Sequence, residues 1–122
     1  MATFYRCATC GNVVSKLFDL GPELSCCNTK MIRLEPNTVD AATEKHVPKI
    51  TRNGETVTVE IGDVIHPMED RHYITFIAIE TGGNLYIKTL NPGDAPVMEL
   101  AAPAGVVAYE YCNLHGLWKG EE

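Results

Sequence analysis

The chain has 122 residues, is 45% hydrophobic and 21% charged, and carries a formal net charge of −6. That length supports one modest core plus a small appendage, no apolar run reaches the ~20 residues a bilayer crossing needs, and the acidic balance argues against nucleic acid or an anionic membrane as a general partner. The N-terminal MATFYRCATC has no basic region followed by an apolar stretch, so no secretory signal is expected and the expected location is the cytoplasm.

From the N-terminus, Thr3–Leu34 reads as a compact cysteine-bearing unit. Turns at Cys10-Gly11-Asn12 and Leu20-Gly21-Pro22 divide it into strand-like pieces at Phe4–Arg6, Val13–Phe18 and Lys30–Leu34. It has too few apolar residues to hold a core unaided, and units of this size lean on a metal or on disulfides. Cys7 and Cys10 are a Cys-x2-Cys pair, and fifteen residues later come the adjacent Cys26 and Cys27. Two such pairs complete a tetrahedral sulfur cage suited to zinc or iron. Adjacent cysteines are unusual for a zinc ribbon, because neighbouring side chains do not naturally converge. A purely structural zinc knob stays open as an alternative, and disulfides are disfavoured in a cytosolic chain.

Glu35–Thr38 is a link. Val39–Lys45 follows as one or two helical turns, with Thr38 or Asp40 as N-cap, and Pro48 ends any helix. Beyond it the pattern alternates like strands. Val57, Val59 and Ile61 point one way while Thr56, Thr58 and Glu60 point the other. Tyr73–Ile79, Leu85–Leu90, Val97–Leu100 and Val106–Tyr111 complete the set, with turns at Gly82-Gly83-Asn84 and Asn91-Pro92-Gly93-Asp94. The fold class expected is all-β, a small metal-binding domain followed by an antiparallel, immunoglobulin-like β-sandwich.

Four histidines and the fifth cysteine fall at strand ends or in loops: His46, His66, His72, Cys112 and His115. Cys112 and His115 can close a tight chelate. Singly each histidine reads as structural or exposed; together they suggest a second metal site. A four-coordinate zinc site of one cysteine and three histidines is one alternative, and a nucleophilic Cys112–His115 pair is another that lacks an orienting third group. Zinc sites rarely combine four histidines with one cysteine.

These residues stand in text that resembles the two-iron superoxide reductases, or desulfoferrodoxins, over essentially the whole chain. The carriers are CATC and CC around Cys7–Cys27, EKHVP at Glu44–Pro48, HPMEDRHYI at His66–Ile74 and YCNLHGLW at Tyr111–Trp118, with NTVDAATEKHVP and NPGDAP in support. The resemblance implies two iron ions per chain. Residues 1–36 would form a desulforedoxin-like domain whose Cys7, Cys10, Cys26 and Cys27 hold one iron. Residues 37–122 would form the catalytic sandwich, with His46, His66, His72 and His115 as roughly equatorial ligands to the second iron and Cys112 as axial thiolate. Superoxide would bind opposite Cys112 and leave as hydrogen peroxide without release of dioxygen.

The resemblance also implies a homodimer and an electron donor such as rubredoxin. Lys45, next to His46, adds a flexible cation that would steer an anionic substrate against the acidic surface. Glu44, by itself a candidate solvated surface residue, is favoured by the resemblance as a cap over the site after oxidation. Tyr73, Tyr111 and Trp118 flank ligands and read as core or lid residues that keep the site rigid. The four-sulfur centre reads equally as an electron relay or as a staple for the small domain.

Overall fold

The computed structural model describes residues 1–64 and 66–122, which divide into two compact units, Met1–Glu35 and Pro36–Glu122. In the first, β1 (Phe4–Arg6) is the middle strand of an antiparallel sheet. It lies between β2 (Val13–Ser15) and β5 (Ile32–Arg33), while β3 (Ser25–Cys26) and β4 (Thr29–Lys30) form a separate hairpin. Only Phe4, Cys7 and Met31 are buried apolar residues there.

Two strand expectations are corrected. The strand expected at Val13–Phe18 stops at Ser15, because Lys16 folds the next residues into a loop by donating to Asp19 Oδ1 (3.0 Å) and to the Pro22 carbonyl (2.8 Å). The strand expected at Lys30–Leu34 is split at Met31, whose amide donates to the Leu24 carbonyl at 2.8 Å while its side chain turns inward.

The second unit begins with a single helical turn, α1 (Thr43–His46), later and shorter than the expected Val39–Lys45. Ala42 is its N-cap and no side chain caps it, in place of the expected Thr38 or Asp40. The reason is tertiary. Asn37, at φ +62°, donates its amide to the Leu117 carbonyl (3.0 Å) and accepts the Lys119 amide on Oδ1 (2.8 Å), so this stretch is spent on the last strand.

Among the described residues seven strands follow: β6 (Pro48–Asn53), β7 (Thr56–Ile61), β8 (Ile74–Thr81), β9 (Asn84–Thr89), β10 (Val97–Ala101), β11 (Val107–Cys112) and β12 (Gly116–Glu121). Sequence alone missed β6 and β12. They pair in two antiparallel sheets, ordered β10-β7-β6 and β12-β11-β8-β9. The all-β expectation holds.

Val57, Val59 and Ile61 from one sheet bury against Ile74, Ile77, Ile79, Ala108 and Cys112 from the other. Each of the valines and isoleucines contributes on the order of 2 kcal/mol relative to exposure. The β8–β11 register slips by one residue between Tyr111, opposite Phe76, and Cys112, opposite Ile74. This bulge brings Ile74 into the same core cluster as Ile77 and Ile79.

At one edge Arg52 ties the two sheets by donating to the Glu122 carboxylate and to the carbonyls of Ala102 (2.6 Å) and Ala104 (3.0 Å). At another, Lys88 Nζ reaches the Val97 carbonyl at 2.9 Å. Among the described residues no helix is long and apolar enough to cross a membrane.

The registers decide where the ligands fall. Pro48 pairs with Ile61, Ile74 with Cys112, and Cys112 with Gly116. Just outside these pairs stand His46, His72 and His115, with His66 five residues beyond Ile61. Five side chains spread over 70 positions of sequence thus emerge from neighbouring strand ends.

Candidate metal centres

In the small unit the Cys7-to-Cys10 turn closes with Gly11 N–H on the Cys7 carbonyl (2.9 Å), and the Cys10 amide points at Cys7 Sγ (3.5 Å). That amide is the main reason the Cys7 thiol is held down to about 6. The vicinal pair converges because Cys27 and Asn28 adopt φ +54° and +56°, the left-handed region that non-glycine residues rarely enter. The strain of that turn lets Cys27 Sγ swing to 3.9 Å from Cys26 Sγ, while Cys10 Sγ lies 3.6 Å from Cys26 Sγ. With metal–sulfur bonds of ~2.3 Å, the edge of a tetrahedron is about 3.8 Å. The spacing fits a four-thiolate metal. Cys7 is buried, Cys26 half-buried, and Cys10 and Cys27 exposed, so one side of the cage meets solvent.

In the larger unit the four imidazoles form a closed square. Successive ring centroids, His46 to His66 to His72 to His115 and back, are 4.7, 4.7, 5.0 and 4.8 Å apart, with interplanar angles of 78° to 89°. His46 Nδ1–H donates to the Ala42 carbonyl (2.7 Å) and His66 Nδ1–H to the Pro67 carbonyl (2.6 Å). A carbonyl can only accept, so both neutral rings turn an unprotonated Nε2 inward.

Those two lone pairs face each other at 3.2 Å, and His46 Nε2 is 3.0 Å from His115 Nδ1. Acceptors do not sit this close without a cation between them, and adjacent nitrogens bonded at ~2.1 Å to one ion at right angles stand about 3.0 Å apart. His72 Nε2 is buried with no partner among the described residues, as a waiting ligand atom would be. Cys112 Sγ lies 3.8 Å from His115 Nδ1, and the five ligand atoms all fall within 4.8 Å of one another. The site therefore fits a single cation.

Electrostatics agree. Burial, then the other histidines, pushes His66 down to about 4 and lowers His46; burial likewise lowers His72, so these three rings stay neutral and free to ligate. Lys45 is among the charges that lower His46 and His72, which places its ammonium within electrostatic reach of the square. Burial raises the Cys112 thiol, against which the Leu114 and His115 amides favour the anion. A buried thiol of this kind ionises when a cation binds it. Glu44 and Lys45 are exposed on α1, whereas Cys112 is part of the apolar core.

Sequence reasoning missed Asn113 and Glu110. Asn113 knits two ligand loops: Oδ1 accepts the Tyr73 amide (2.9 Å), Nδ2 donates to the Arg71 carbonyl (3.0 Å), and its amide donates to the Tyr73 carbonyl (3.2 Å). It thus sets His72 against Cys112 and His115. Asn113→Ala is expected to lower metal retention and turnover by about 10- to 100-fold, the usual loss for a group that orients ligands. Full retention in dialysed protein would refute this.

Trp118 stacks on His46 at 4.9 Å and donates Nε1–H to the His115 carbonyl (3.0 Å). The reading of it as a rigid neighbour of the site understated this contact. Glu110 is fully buried two residues before Cys112, both oxygens lack partners among the described residues, and burial raises its pKa well above the usual carboxylate range. An acidic residue at an inward-facing strand position was its only sequence signal.

Comparison with known proteins agrees with this geometry. Residues 38–121 match the family described as desulfoferrodoxin, and residues 2–34 match its N-terminal domain. The desulfoferrodoxin of Nitratidesulfovibrio vulgaris is 47% identical over 118 residues, covering 96% of this chain and 94% of that one. The superoxide reductase of Treponema pallidum superposes with a TM-score of 0.78 at 32% identity, covering 98% of both chains. The one-iron superoxide reductase of Giardia intestinalis gives 0.59 at 31% identity, covering 65% of this chain and 97% of that one.

Proposed function

The chain belongs to the desulfoferrodoxin family of superoxide reductases, and we propose how its own residues carry out the one-electron reduction of superoxide to hydrogen peroxide. In this reading residues 37–122 are the catalytic domain, and His46, His66, His72, His115 and Cys112 hold one iron. Residues 1–36 hold the second through Cys7, Cys10, Cys26 and Cys27. Iron at the five-ligand site supplies the electron that superoxide takes. The observation that supports this most is the square of imidazoles with lone pairs turned inward and a buried thiol beside it.

Neutral imidazoles bring no negative charge, so Cys112 alone offsets the cation and the site stays attractive to an anion. Its burial in the core closes the sulfur side; in this reading superoxide comes from the opposite side, where the exposed Glu44 and Lys45 act. Lys45 focuses superoxide there despite the net charge of −6. Replacement by methionine is expected to slow the second-order reaction with superoxide about tenfold, within the span that local fields achieve, at unchanged iron content. Pulse radiolysis measures it, and an unaltered rate constant refutes steering. Glu44 then closes over the site after the electron has left and displaces product. Glu44→Ala is expected to keep turnover but shift the visible absorption of the oxidised protein; identical spectra would remove the capping role.

The assay that tests the activity is stoichiometry. One peroxide per superoxide with no dioxygen is expected, and dioxygen evolution would point to dismutation instead. A rubredoxin-type donor in the cytoplasm completes the cycle in this reading, checked by rapid reduction of the oxidised protein on mixing with reduced rubredoxin. A homodimer is supported by one loop of the small unit, where Leu17, Phe18 and Leu20 are 89%, 83% and 78% exposed. Sedimentation showing only monomer at micromolar concentration would remove it.

A further inference from the structure

We propose that Gly62 is a positioning residue for Lys45: the turn of residues 62–64 clamps the backbone of Glu44 and Lys45 and so fixes where the steering ammonium stands. The inference rests on the role given to Lys45 above. A four-residue helix without a side-chain cap has little stability of its own, so its geometry must be imposed from outside. The turn at 62–64 imposes it. Asp63 and Val64 both donate their amides to the Glu44 carbonyl, at 2.6 and 3.1 Å, and the Gly62 amide donates to the Val47 carbonyl at 3.1 Å.

Gly62 permits this grip in two ways. Its φ of +79° is left-handed, and a Cβ there would stand 2.6 Å from the Glu44 carbonyl oxygen and 2.7 Å from both Cα and the carbonyl carbon of Lys45. All three are backbone atoms, so no side-chain rotation relieves the clash. The segment itself would have to move outward. His46 has anchors of its own, in the Trp118 stack and the Ala42 carbonyl, so Lys45 should move while the ligands stay. Asp63 adds a long contact to Lys49 Nζ at 3.9 Å, which helps hold the turn.

The test uses the iron-loaded full chain. Gly62→Ala is expected to retain both irons and the thiolate absorption, and to slow the second-order reaction with superoxide about as much as Lys45→Met, roughly tenfold. The double variant should be no slower than Lys45→Met alone, since both act through one ammonium. The ionic-strength dependence of the rate should change alike in all three. Amide exchange at Asp63 and Val64 should quicken in Gly62→Ala, a readout independent of turnover. Asp63→Pro removes the shorter donor to the Glu44 carbonyl, sets a ring carbon against that oxygen and drops the Lys49 contact; it should displace the same segment, slow the reaction in the same direction, and decide the matter if Gly62→Ala does not fold. A wild-type rate in either variant, additive losses, or loss of iron overturns the proposal. If Lys45→Met slows the reaction and Gly62→Ala does not, this inference alone fails; if Lys45→Met has no effect, the steering role fails with it.

Discussion

Stripping the metal from the four-cysteine site is expected to unfold residues Met1–Glu35 while the Pro36–Glu122 unit keeps its fold. The small unit buries three apolar side chains, Phe4, Cys7 and Met31. At on the order of 2 kcal/mol each, these do not offset a backbone ordering cost of ~1–2 kcal/mol per residue. Structural metal binding in comparably small domains is worth roughly 10–16 kcal/mol, more than these three burials together. The larger unit has its own core of Val57, Val59, Ile61, Ile74, Ile77 and Ile79 and no such dependence. After chelation under reducing conditions, amide resonances of residues 4–34 should collapse while those of residues 57–61 and 74–79 stay dispersed. A small unit that stays ordered without metal would refute the expectation. The same site admits a second comparison. A Cys10→Ser protein that still turns over at full rate would make this metal a staple rather than a relay.

Cys112→Ala is expected to cost at least about a hundredfold in the reaction with superoxide and to remove the part of the visible absorption contributed by the five-ligand iron. Groups that merely orient a ligand cost ~10–100-fold when removed, so loss of a direct ligand should match or exceed the upper end. The sulfur is also the only anionic ligand in the set, and its push of electron density towards the reacting face has no substitute among four neutral rings. Burial keeps water from replacing it, because Cys112 is fully enclosed by the core. The fold should survive, since one sulfur atom is a small loss to that core. Near-normal rates in a folded, iron-loaded Cys112→Ala protein would remove the thiolate from the chemistry.

Much of the fold was legible because strand signals are local. Val57, Val59 and Ile61 alternate with polar neighbours, and the turns at Gly82–Asn84 and Asn91–Asp94 bracket β9. What failed depended on distant partners. β6 begins at the proline that reads as a helix stop, and it is a strand because β7 pairs with it residue by residue. The helix expected from Val39 starts at Thr43 because Asn37 is engaged by β12, some eighty positions away. The vicinal cysteines looked poorly placed to share a metal until Cys27 proved to be left-handed.

Residue type and spacing, read together with the family resemblance, singled out nine side chains as candidate ligands and sorted them into a soft four-sulfur set and a mixed nitrogen–sulfur set. Ligand softness is a property of the atoms themselves, so it can be read without coordinates. Tertiary structure decided which nitrogen of each ring faces inward, that the sulfur side is sealed while α1 stays exposed, and that Gly62 and Asn113 hold the loops. These depend on hydrogen bonds and registers between strands far apart in the chain, and a two-residue repeat along one strand carries no information about its neighbour's offset.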